Sequence, residues 1–172
     1  NSADLIAESN FSVLKIGSIA AFIVIFLLNS ITSTLLPWFD YSAVYIIMPF
    51  CSLPLFAIAS YFQKHKKSPD VNLWRSFILA FSYLSILMGF IIYISAIHKN
   101  SVNFSQIYIS IIFVFTPSLV ILPQFLVSTF LIISEIIFLF FSYKIKEPLY
   151  FYIDFYSSIA AFICSTASSI LI

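Results

Sequence analysis

Apolar residues in this chain come in long blocks separated by short polar interruptions. A helix that crosses the ~30 Å hydrocarbon core of a bilayer needs about 20 such residues at ~1.5 Å each. The first block covers 13–36 and is closed by Pro37; Trp38, Phe39, Asp40 and Tyr41 then read as an interfacial turn with belt aromatics. The second covers 42–62 and carries Pro49 and Pro54, which predict a kink. The most polar stretch follows, with Lys64, His65, Lys66, Lys67, Asp70 and Arg75; Pro69-Asp70 and Asn72 suit a turn and then a helix cap. The third block covers 73–97, and His98 to Gln106 forms a polar loop.

The next apolar run, 107–142, is 36 residues long. As one straight helix it would reach ~54 Å, well beyond the hydrocarbon core. Pro123-Gln124 offers a place to fold back, giving spans over 107–122 and 125–142. Tyr143 to Pro148 then forms a loop and 149–172 the last span. The expected fold is therefore all-α, a polytopic membrane bundle of about six helices in one domain.

Composition points the same way. The chain has 172 residues, of which 62% are hydrophobic and 9% charged. A soluble domain needs nearer ~25% charged residues to solvate its surface. The expected first partner is thus the lipid bilayer. A formal net charge of +1 gives no basic surface for nucleic acid. With six spans and both termini inside, Lys15, Lys64, Lys66, Lys67 and Arg75 fall on the cytoplasmic side and Lys99, Lys144 and Lys146 outside. A single crossing by 107–142 would move Lys144 and Lys146 inside, so charge bias favours five spans and length favours six. Lys64, Lys66, Lys67 and Arg75 are expected to set topology and touch anionic headgroups.

Glu135, near the middle of the fifth block, is the residue with most chemical consequence. An ionised carboxylate facing lipid is costly, so Glu135 should face the bundle interior or be protonated, as a ligand, ion or proton site or as a hydrogen-bonded packing residue. Ser128 and Ser142 lie seven residues to either side, on the same helical face. Asp154, near the start of the last block, is read either as a ligand partner or as an acid favoured near a helix N-terminus. Glu135, Asp154 and Ser128 form the candidate ligand set. Ser158, Ala161, Ser165 and Ser168 recur at spacings of three and four, a small-residue seam for packing within the chain or in a homodimer. Cys51 and Cys164 lie in apolar runs and read as small core residues. No Cys/His/carboxylate spacing suits a metal, and no catalytic motif or phosphate-binding glycine loop is present, so neither enzyme activity nor a cofactor is expected of these residues.

Two stretches carry a resemblance. Glu8-Ser9-Asn10 through Leu14-Lys15-Ile16 to Phe26-Leu27-Leu28-Asn29, and Tyr152-Ile153-Asp154-Phe155-Tyr156-Ser157-Ser158-Ile159-Ala160-Ala161-Phe162-Ile163, resemble the opening and closing helices of six-helix (MASE-like) input modules of bacterial diguanylate cyclases. Thr116-Pro117 to Pro123 suits the same layout, and no GGDEF motif is present. The resemblance implies a sensory and dimerisation module in the bacterial inner membrane. It would pass a signal, from a small molecule or lipid, through its last helix to a cytoplasmic output domain that makes cyclic di-GMP. The apolar ending Ser169-Ile170-Leu171-Ile172 is read as a cut within a longer protein. Two alternatives stand beside this: a self-contained membrane binder, such as a bacteriocin immunity protein or a vitamin-transporter substrate-binding subunit, and a fragment of an ion-coupled transporter centred on Glu135.

Overall fold

In a computed structural model the described residues are 2–35, 43–97 and 120–170. They form five helices and no strand: α1 (Ser2–Leu35), α2 (Ala43–Lys64), α3 (Pro69–Ile97), α4 (Gln124–Ile145) and α5 (Pro148–Ile170). Over Ser2–Val24, Pro69–Phe90 and Gln124–Ile145 three of these are long and apolar enough to cross a membrane, and Pro148–Cys164 is a shorter apolar helix. Their outward side chains include Ile16, Ile78, Phe125, Ile136 and Phe140. Such a surface is solvated by lipid far better than by water.

The apolar run 107–142 is not one helix. Residues 120–123 are non-helical, and α4 begins at Gln124 behind Pro123. The Pro123 carbonyl accepts from the amides of Leu126 and Val127, which closes the first turn. The break thus falls at Pro123-Gln124, where the sequence pattern expects the fold-back. The proposed span over 107–122 lies outside the described residues but for 120–122. The polar loop before it and the turn over residues 37–41 lie outside them as well.

The chain divides into two compact units, residues 1–86 and 87–172. In the first, α1 starts at Ser2 rather than near Val13, and its 34 residues span about 51 Å. Hydropathy alone misses the added turns because they are mixed: Ala7, Phe11 and Leu14 are buried while Glu8 and Ser9 are exposed. That is a helical stripe, not an apolar block. The α2–α3 turn covers the stripe. Lys66 reaches Glu8 at 3.0 Å, and Asn10 donates to Ser76 Oγ at 3.3 Å. Lys15 donates to Gln63 Oε1 at 2.9 Å. α2 continues as helix through Pro49 and Pro54.

The start of α3 also differs from the expected cap. Pro69 opens the helix, where its missing N–H costs nothing, and the Ser68 carbonyl accepts from Asn72 N. Asn72 sits inside the first turn. Its amide accepts from Lys67 N and donates to Lys67 O, each at 3.0 Å, and so holds the turn like a clamp. Further along, Tyr83 is buried against Gly17. A Cβ at that glycine would stand 3.0 Å from Tyr83 Oη, so the small residue permits close contact between α1 and α3.

Candidate functional site

The second unit contains the polar groups of most interest. Along α4 the buried positions Val127, Leu131, Ser134, Glu135, Phe138 and Ser142 make one face, at spacings of three, four and seven. The helix ends in a tight turn. Lys146 is its C-cap, in extended conformation, with its amide bonded to Ser142 O. Pro148 at once starts α5, whose first turn is closed by Phe151 N on Glu147 O. A connection this short makes the two helices antiparallel neighbours, so residues far apart in sequence meet in pairs across the seam.

The pair nearest the turn is ionic. Lys146 Nζ lies 2.6 Å from Asp154 Oδ2, with the two side chains 1% and 3% exposed. The Ser142 hydroxyl donates to the same Oδ2 at 2.7 Å. Withdrawing both charges from water is expensive, and only short, well-directed contacts of this kind compensate for it. Lys146 sits at a loop position, yet its side chain folds inward; its neighbours Lys144 and Glu147 stay exposed.

Farther from the turn, Ser158 donates to Glu135 Oε1 at 2.6 Å, and its hydroxyl also lies 3.3 Å from Phe155 O. Glu135 Oε2 is buried and has no hydrogen-bond partner among the described residues. Buried carboxylate oxygens are rarely left so, because the desolvation cost is then uncompensated.

Of the expected site residues, Glu135 and Asp154 do turn inward on one seam, each with a serine from the opposite helix. Ser128 is half-buried and takes no part in these contacts. Ser158 belongs to the polar chemistry as well as to the small-residue seam, and Ala161 is buried beyond it. The side chains of Ser165 and Ser168 lie outside those described.

Sequence reading placed Lys146 on an outer loop and missed its partnership. The available signal was its spacing: a cation two residues before a helix-starting proline and an acid six residues after it, which one short turn brings together.

In the first unit the expected headgroup cations gather at one end. Lys66 pairs with Glu8; Arg75 lies over the Phe62 ring at 4.7 Å and donates to His65 O. Lys64 and Lys67 are exposed. Neither cysteine is in a disulfide, and neither is the small core residue expected: Cys51 is half-buried and Cys164 exposed. Among the described residues no cluster of three or more His, Cys, Asp or Glu is placed to hold a metal ion. Comparison with known proteins leaves the site to be read from its own geometry: no family model matches the chain, and neither curated proteins nor solved structures give a match.

Proposed function

We propose that this chain is a membrane-embedded sensory and dimerisation module of six spans, with both termini on the cytoplasmic side of a bacterial inner membrane. On this reading α5 passes a signal to a cytoplasmic output domain, a diguanylate cyclase being the kind implied by the resemblance of its closing helix. The observation that carries the reading is the polar seam of the last hairpin. α5 is held to α4 through a buried ion pair and a buried carboxylate–hydroxyl contact. Apolar residues of equal size would hold a passive scaffold as well or better. Ionisable groups retained inside an apolar bundle mark a functional element by default. Any change in their charge or partners acts directly on the helix that would lead to the output. The six-span count rests on length and on the interruption at residues 120–123.

The test is a fusion at Ile172 to a cyclase domain that works only as a dimer. Expressed in bacteria, it should raise cellular cyclic di-GMP, and Lys146→Met or Ser158→Ala should change that output at equal amounts of protein in the membrane. A C-terminus that reports as periplasmic in alkaline phosphatase fusions overturns the proposal. So does an output indifferent to the hairpin variants.

A further inference from the structure

The two acids of the hairpin are not equivalent. Asp154 has its cation, Lys146, at contact distance, whereas Glu135 pairs with no base among the described residues. The other charged groups described in this unit, Lys144 and Glu147, are exposed beside the turn. Tyr143, Tyr152 and Tyr156 are exposed as well, and the neighbours of Glu135 on α4, Ser134 and Phe138, carry no charge. With Glu135 ionised, the described residues of the buried seam therefore hold one uncompensated negative charge. In an apolar medium that imbalance is removed by taking up one positive charge.

We propose that Glu135 and Ser158 form a binding site for a single positive charge, loaded at Glu135 Oε2. The geometry says which oxygen is loaded. Oε1 already accepts the Ser158 hydroxyl hydrogen at 2.6 Å, and Oε2 is the buried atom without a partner. A proton and an alkali cation share this chemistry. Hard metal cations gather several oxygens around them, while the only side-chain oxygen bonded to Glu135 among the described residues is the Ser158 hydroxyl. The expected occupant is therefore the proton: an O–H bond forms at Oε2, the seam becomes neutral, and release to water reverses it. This names the input of the sensory reading and rests on that reading only for its consequence; binding itself needs no output domain.

The experiment uses the wild-type chain in lipid vesicles and a hydrophobic carbodiimide, which takes the proton of a carboxyl buried in an apolar site, is attacked by the carboxylate oxygen and rearranges to a stable N-acylurea adduct. Adducts are located by peptide mass spectrometry across a pH series. Glu135 should be modified at low pH, with labelling falling about tenfold per pH unit once the site is empty, the slope of a one-proton site. The Asp154 peptide, whose acid is paired with Lys146, should stay unmodified, and Glu135→Gln should remove the adduct. A repeat with sodium chloride replacing choline chloride at constant ionic strength separates the sources. Protection of Glu135 by sodium assigns an alkali cation and supports the site; equal labelling in both salts assigns the proton. Absent labelling, or labelling that does not change with pH, overturns the proposal. Either result leaves the cyclic di-GMP test standing, because vesicle labelling involves no output.

Discussion

Removing one member of the Lys146–Asp154 pair tests the seam most directly. Lys146→Met keeps the apolar stem and deletes the ammonium group, leaving the Asp154 carboxylate without its cation in a place where both side chains are 3% exposed or less. Breaking a buried pair from one side costs about 3–5 kcal/mol, most of it the stranded charge rather than the lost attraction. The companion change Ser142→Ala removes one hydroxyl donor at 2.7 Å and leaves the ion pair in place. Its expected cost is about 1–2 kcal/mol. The double change Lys146→Met with Asp154→Leu removes both charges and puts apolar groups of similar size in the seam, so it should recover most of the loss. The assay is thermal unfolding of the detergent-solubilised chain, followed by fluorescence-detected size exclusion after heating. At about 2–4 °C per kcal/mol for a chain of this length, Lys146→Met should lower the midpoint by roughly 6–20 °C. The order of stability should be wild type, Ser142→Ala, then Lys146→Met, with the double variant above the single lysine variant. A Lys146→Met midpoint within error of wild type would refute the reasoning. So would a double variant no better than the single, because either result means that the charges do not meet in a dry seam.

Four further substitutions test other contacts of the same structure. Ser158→Ala strips Glu135 of its hydrogen bond and should destabilise the chain by about 1–3 kcal/mol, measured as above; Glu135→Gln/Ser158→Ala should lie closer to wild type, since no buried charge is left unsatisfied. Gly17→Ala sets a Cβ 3.0 Å from Tyr83 Oη against a helix-propensity gain of about 1 kcal/mol, so the midpoint should move little, while Gly17→Ala/Tyr83→Phe removes the atom in conflict, keeps the gain and should raise it. Asn72→Ala releases both clamps on Lys67 and should speed hydrogen exchange and proteolysis at residues 65–68, whereas Glu8→Gln breaks only an exposed pair and should shift stability by no more than about 0.5 kcal/mol.

Particular residues show what each level of description contributed. Hydropathy is local, so apolar blocks in the sequence sufficed to place α2 within two residues at each end and to assign an all-helical membrane class; helix length then demanded a break in 107–142, and Pro123-Gln124 located it. Glu135 was legible for the same reason: a carboxylate inside an apolar helix has no cheap exposed position. The start of α1 at Ser2 was less legible, since its mixed stripe becomes apolar only against the α2–α3 turn that covers it.

Partnership was a matter for tertiary structure. Ser158 read as part of a small-residue packing seam and is also the donor to Glu135; Lys146 read as an outer-loop cation and is the buried partner of Asp154. Residue type and period cannot distinguish these roles, because each depends on which group of the opposite helix arrives at the same height. A short turn and the antiparallel register of α4 and α5 settle that height. The sequence by itself therefore determined which groups had to be buried, through the cost of exposing them to lipid. Only the packed hairpin decided that Asp154 would find its counter-charge and that one oxygen of Glu135 would not.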